Sequence, residues 1–153
     1  MNPMMLTRRA AMAGIAAMPL LLATHAQAQA APVVTVVKSP TCGCCNAWVA
    51  HLRRAGFQVR VNDVADVTPT ARRLGVPEDL RSCHTASVGG YAIEGHVPAA
   101  DIRRLLRERP AAAGIAVPGM PMGAPGMEHG SHREPYRTIL FTRAGQRRVF
   151  AQH

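Results

Sequence analysis

Three of the four cysteines fall within four residues, Cys42-Gly43-Cys44-Cys45, and the fourth, Cys83, stands alone further along. Cys42 and Cys45 have the CxxC spacing, which lets two sulfurs converge across one helical turn. Cys44 adds a third sulfur to the same mouth. Three chemistries suit such a group: a dithiol–disulfide couple, a structural disulfide framework, or a metal held by thiolates. Vicinal Cys44 and Cys45 rarely bridge each other without strain, and three cysteines in four residues close only tiny loops, which stabilise a fold poorly. Zinc accepts four thiolates, but structural zinc sites usually divide them into two spaced pairs. Thiolates with thioethers nearby favour Cu(I). Met120, Met122 and Met127 recur in a Gly/Pro-rich stretch and are candidate thioether donors, Met120 first among them. An iron–sulfur cluster is the remaining alternative.

Positioning these sulfurs requires a turn between a strand and a helix. Val33–Val37 is a β-branched run and reads as a buried strand; Pro40–Cys44 reads as a turn. From Cys45 the apolar residues Trp48, Val49, Leu52 and Ala55 recur at helical spacing, and Gly56 ends the helix. That phase points Cys45 inward and leaves Cys42 and Cys44 at the rim. A helix N-terminus also favours thiolate over thiol. Gln58–Val64 alternates as a second strand. Thr68-Pro69 reads as N-cap and first position of a short helix to Leu74. His84–Val88 and Tyr91–His96 flank Gly89-Gly90 as a hairpin. Pro98 opens a helix carrying Ile102, Leu105 and Leu106, which stops at Pro110. Residues 111–135, rich in Gly, Pro and Met, read as a long ordered loop. Arg137–Phe141 and Gln146–Ala151 read as a final hairpin.

This order predicts an α/β fold of thioredoxin-like layout: a central mixed sheet, flanking helices and a C-terminal β-hairpin extension. Redox members of that fold usually carry a cis-proline where Arg81-Ser82-Cys83-His84 stands here. A cysteine in its place makes a fourth sulfur ligand and tilts the reading from dithiol chemistry toward metal. His84 is a candidate ligand or a neighbour tuning a sulfur, although alternation along a strand would turn it to the other face from Cys83. His96, at the end of a strand, fits a ligand and a structural role equally, His51 reads as a surface residue, and Glu128, His129 and His132 as a solvated cluster. Lys38 is read as a positive charge near the thiolates.

The first thirty residues carry Arg8-Arg9, an apolar run from Ala10 to Ala23, and small residues at Ala26-Gln27-Ala28-Gln29-Ala30. That is the anatomy of a secretory signal peptide, its apolar run short for a span of ~20 residues. The twin arginine leaves Sec and Tat export both open. Cleavage leaves one domain of residues 31–153, without stable membrane insertion, in an oxidising compartment such as the periplasm. Losing Arg8 and Arg9 reduces the formal charge of +9 to +7. The arginines are scattered as pairs (Arg53-Arg54, Arg72-Arg73, Arg103-Arg104, Arg147-Arg148) with few aromatics, which argues against nucleic acid as a partner. Loose attraction to anionic membrane surfaces stays open. No Ser/His/Asp triad, phosphate-cradling glycine loop or acid pair of glycosidase type supports hydrolytic or phosphoryl chemistry.

The segments Lys38-Ser39-Pro40-Thr41-Cys42-Gly43-Cys44-Cys45, Leu74-Gly75-Val76-Pro77, Leu80-Arg81-Ser82-Cys83-His84-Thr85, Glu94-Gly95-His96-Val97-Pro98 and Val117-Pro118-Gly119-Met120-Pro121 together resemble the CopG family of exported copper-resistance proteins. The resemblance covers roughly residues 33–153. It implies a thioredoxin-like fold and a multinuclear copper–sulfur site whose matching ligands are Cys42, Cys44, Cys45 and Cys83. It further implies a role in copper detoxification, with cycling between Cu(I) and Cu(II), more than one copper per chain, and other periplasmic copper-resistance proteins or an electron partner as associates. The alternative reading is a thiol–disulfide oxidoreductase using Cys42 and Cys45.

Overall fold

The computed structural model describes residues 32–153; the leader read at residues 1–30 lies outside them. The elements are β1 (Val34–Lys38), α1 (Gly43–Arg54), β2 (Val59–Asp63), α2 (Thr68–Arg73), a 3-10 turn (Glu78–Leu80), β3 (His84–Val88), β4 (Tyr91–Glu94), α3 (Ala99–Glu108), β5 (Gly114–Ala116), β6 (Arg137–Phe141) and β7 (Arg147–Gln152). One seven-stranded mixed sheet has the order β2-β1-β3-β4-β5-β6-β7. β1 pairs parallel with β2 and antiparallel with β3, and β3 pairs antiparallel with β4. The expected α/β architecture, mixed sheet and C-terminal hairpin are all present.

The strand period of two divides the side chains between the two faces. Val34 and Val36, Ala86 and Val88, Ile93, Ile115, Leu140 and Phe150 meet Trp48, Leu52, Ile102 and Leu105 of α1 and α3 in the larger core. Ala92, Ala116 and Phe141 turn to the other face, where Ala71, Val76 and Leu80 cover them. Trp48, fully buried, donates its indole N–H to the Val97 carbonyl at 2.8 Å, so the largest core side chain leaves no polar atom unpaired.

Several boundaries differ from the sequence reading for local reasons. The N-cap of α2 is Val67, one residue before Thr68, because the Asp66 carboxylate accepts the Thr68 N–H at 2.8 Å and so does the capping. β4 stops at Glu94, short of His96, because Gly95 has φ +72° and turns the chain out of the ladder. Within the segment read as loop, Gly114–Ala116 forms a strand between β4 and β6. Three small or β-branched residues are too short a run to carry a period, so pairing alone creates that strand. The rest of the segment folds on itself: Gly123 N–H donates to the Met127 carbonyl, Met127 N–H to Ala124, and Glu134 N–H to Met122.

Candidate metal centre

β1 delivers the chain to a turn, and α1 starts at Gly43 with Cys42 as its N-cap. The Cys42 sulfur accepts the Cys45 N–H at 3.4 Å. Cys42 and Cys45 are joined in a disulfide with Cα atoms 5.3 Å apart, while Cys44 and Cys83 are free. Cys45 is fully buried and Cys42 and Cys44 are half-buried, as the helical phase required.

Cys83 is the hub. Its sulfur lies 3.6 Å from Cys45 Sγ, 3.7 Å from Cys44 Sγ, 3.4 Å from His84 Nδ1 and 3.2 Å from His96 Nε2. Cys44 Sγ in turn lies 3.5 Å from Cys42 Sγ. Two overlapping groups of donor atoms result, each with its members within 4.8 Å of one another: the four cysteines, and Cys83 with His84 and His96. His84 was expected on the other face from Cys83. The expectation fails because β3 begins at His84, so Cys83 sits in the preceding turn, where strand alternation does not apply.

The histidines are held as neutral donors. His96 is fully buried, and its Nδ1–H donates to the Pro125 carbonyl at 2.8 Å. Burial lowers its pKa, which leaves a lone pair on Nε2, toward Cys83. A metal-binding imidazole usually donates its other ring N–H to a carbonyl or carboxylate, as His96 Nδ1 does here. His84 packs against Trp48 with ring centroids 4.4 Å apart, and burial, followed by His96, presses its pKa to about 3. Its Nε2 is buried with no hydrogen-bond partner. The Cys83 thiol is pushed up to about 12, first by burial and then by the Cys44 sulfur.

Glu94 sets the position of the hub. It is fully buried and accepts the Ser82 N–H at 2.8 Å and the Thr85 hydroxyl at 2.6 Å, so it grips the chain on both sides of Cys83-His84. Burial raises its pKa. Gly95 beside it admits no side chain, since a Cβ would lie 2.5 Å from the Val117 carbonyl oxygen and 2.7 Å from Ser82 Cβ. The loop closes the other side of the site. Gly126 rests on α1, and Ser82 Oγ donates to the Gly119 carbonyl.

The secondary candidates sit further out. Met120 follows Gly119 and is 53% exposed; Met122 and Met127 are half-buried. Glu128, His129 and His132 are exposed, and the Glu128 carboxylate is engaged by the Gly126 N–H. Lys38 is 3% exposed and pairs with Asp63 at 2.8 Å, so its charge serves the edge between β1 and β2 rather than the thiolates. His51 is no simple surface residue: its Nε2 accepts the Ala99 N–H at 3.1 Å and ties α1 to the first turn of α3. His96 is the functional candidate that sequence reasoning undervalued. Its signal was present in Glu94-Gly95-His96, a histidine one glycine beyond a buried carboxylate.

A solved structure named copper resistance protein CopG, form 2, is 45% identical, superposes with a TM-score of 0.77, and covers 81% of this chain and 99% of its own. The chain belongs to the CopG family. A second CopG structure, form 1, is 46% identical, with a TM-score of 0.75 and coverage of 79% and 96%. The model of a family of unknown function, DUF411, matches residues 80–127, the segment from Leu80 through Cys83, His84 and His96 to Met127. No curated protein sequence matches the chain. Among the described residues no helix is long and apolar enough to cross a membrane. The CopG match and the sulfur–imidazole cluster together give the chain a copper-related function.

Proposed function

We propose that the mature chain binds copper outside the cytosol, through Cys42, Cys44, Cys45 and Cys83 with His84 and His96 at the hub, as part of copper resistance. The observation that carries this is the Cys83 sulfur, within 3.7 Å of two other sulfurs and two neutral imidazole nitrogens. The donor set fits. Sulfur and imidazole are the soft and borderline ligands that select Cu(I) over hard cations, and the imidazole nitrogens that face Cys83 are His84 Nδ1 and His96 Nε2. Four sulfurs linked by contacts of 3.5–3.7 Å, together with the Cys42–Cys45 bond, are close enough to be shared by more than one ion. Copper bound there supplies one-electron exchange between Cu(I) and Cu(II). The chain supplies the sulfurs, excludes water and holds the imidazoles neutral. Met120 is the candidate thioether at the mouth.

The second reading, a thiol–disulfide oxidoreductase, is favoured by one specific observation, the Cys42–Cys45 disulfide at the start of α1. Against it, the free thiol of Cys83 stands 3.6 Å from Cys45 Sγ and that of Cys44 lies 3.5 Å from Cys42 Sγ, two further sulfurs that a simple dithiol couple does not use. The copper reading requires reduction of the disulfide before all four sulfurs can bind metal, whereas in the oxidoreductase reading the disulfide is one of the two working states. Anaerobic Cu(I) titration of the fully reduced protein against a Cu(I) chelator separates them. More than one tightly held Cu(I) per chain, lost in Cys42→Ser and Cys83→Ser alike, is the expected result. Weak binding by wild type, with Cys44→Ser and Cys83→Ser still reducing insulin at the wild-type rate, establishes the oxidoreductase instead.

A further inference from the structure

The arginine pairs that look scattered along the sequence converge in space. β1 and β2 both end on the cysteine side, with Lys38 opposite Asp63. The other end of the sheet holds the Gly89-Gly90 turn and the starts of β4 and β5, where Ala92 lies opposite Gly114 and Gly114 opposite Phe141. All three helices finish toward that end. α1 closes with Arg53 and Arg54, next to α3, whose Arg103 guanidinium donates to the Ala55 carbonyl. α3 closes with Arg107 and Arg109, the latter donating to the Gly89 carbonyl at 2.8 Å. α2 closes with Arg72 and Arg73, and Gly75 just beyond it lies against Arg143 of the β6–β7 turn.

Little negative charge offsets this. Glu108 is paired with Arg104 and Asp79 with Arg147. Of the other exposed carboxylates, Asp63 ends β2 on the cysteine side and Glu128 and Glu134 lie in the loop over α1, while Asp66, within reach of the Arg72 charge, and Glu78, just after α2, offset part of the α2 pair. Arginines in a last helical turn complement the helix dipole, but that dipole amounts to about half a charge per helix. Six arginines on three helix ends therefore leave a large surplus.

We propose that this arginine-rich end docks on an anionic phospholipid surface, with the cysteine mouth directed away from the bilayer. Guanidinium groups pair bidentately with phosphate. The aromatic rings nearby are not free to stack on nucleic-acid bases, since Arg103 covers Phe57 at 5.4 Å and Arg109 covers Tyr91 at 5.2 Å. The positive groups sit on helix ends and a turn rather than along a groove, as suits a broad charged plane. Attachment is peripheral and electrostatic, and it leaves the sulfurs accessible.

The test is sedimentation of residues 32–153, which contain the entire sheet and its helices, with vesicles. Equimolar phosphatidylglycerol and phosphatidylcholine is compared with phosphatidylcholine alone, at low salt and at about 0.3 M. Binding is expected only to the anionic vesicles and should fall steeply with salt. Each arginine near such a surface contributes about fivefold to partition, so Arg54→Gln, Arg72→Gln, Arg73→Gln and Arg107→Gln combined should weaken binding at least a hundredfold. The same four positions changed to Lys should retain most of it. Arg133→Gln with Arg137→Gln, toward the cysteine side, should leave it intact. Circular dichroism and thermal midpoint verify that each variant is folded. Equal partition onto neutral vesicles, tighter binding to duplex DNA at matched phosphate, or unchanged partition of the folded quadruple Gln variant would each overturn the proposal.

Discussion

The loop that closes the site can be pried open at one atom. Gly126 has φ +88°, and a Cβ there would stand 2.8 Å from the Cys44 carbonyl oxygen, 2.8 Å from Trp48 N and 3.2 Å from Trp48 Cα. All three are backbone atoms of α1, so the helix cannot yield and the loop must lift by about 0.6 Å to reach ordinary contact. A non-glycine residue at positive φ adds roughly 1–2 kcal/mol. Lifting Gly126 moves Pro125, whose carbonyl holds His96 Nδ1 at 2.8 Å; loss of that bond adds about 0.5–1.5 kcal/mol. Gly126→Ala should therefore lower the unfolding free energy by about 1.5–3.5 kcal/mol in urea denaturation of the metal-free protein. It should also weaken Cu(I) in chelator competition, because the imidazole loses its orientation. His96→Gln in the same background should then add little further loss of copper affinity. The reasoning fails if Gly126→Ala unfolds within about 0.5 kcal/mol of wild type and binds copper unchanged.

Other expectations follow from single contacts. Glu94→Ala strands the half-buried Ser82 N–H and the buried Thr85 hydroxyl and should cost about 2–4 kcal/mol by chemical denaturation; a change under 1 kcal/mol would mean that Glu94 does not hold the hub. His51 has a lowered pKa, chiefly from burial, so its neutral form is the one that accepts the Ala99 N–H. The unfolded chain then binds more protons than the folded one below about pH 6.5, and stability is full above that pH and falls as pH drops through it. Buried His84 and His96 act in the same direction. Thermal midpoints between pH 7.5 and 5 should fall in wild type and fall less in His51→Gln. The Cys83 thiol, at about 12, holds its proton at neutral pH, so copper must displace it. Cu(I) affinity of the reduced protein should rise about tenfold per pH unit for each proton released; an affinity flat from pH 6 to 8 would show that Cys83 does not bind as thiolate.

Most of the architecture was legible because it rests on local signals. The β-branched run at Val33–Val37, the helical recurrence of Trp48, Val49 and Leu52, and the Gly89-Gly90 turn each point to one structure. β5 was not legible, since Gly114–Ala116 carries no period and exists only through its neighbours on both sides. The four cysteines were legible as a cluster because three of them share one turn and Cys83 occupies the edge beside it. The histidines were harder. His96 becomes a candidate donor through the Pro125 carbonyl, far along the chain, and His84 through the exact residue at which β3 begins. Lys38 and His51 were misplaced for one reason: their partners, Asp63 and Ala99 N–H, arrive from elements that no local pattern connects to them.

The segregation of sulfur and arginine is one consequence of topology. A strand running toward the cysteine side must be followed by a segment that returns, so α1 begins at the sulfurs and ends at the far side of the sheet. The helix dipole then works at both ends of the same element. Its positive end lies under Cys42, Cys44 and Cys45, and its negative end accepts Arg53 and Arg54. α2 and α3 repeat the second half of this pattern with Arg72, Arg73 and Arg107. Each pair is explicable alone as a helix terminator. Because three helices and the β6–β7 turn finish on the same end, local terminators sum to a charged surface opposite the sulfurs, and the polarity of the molecule follows from the direction in which its strands run.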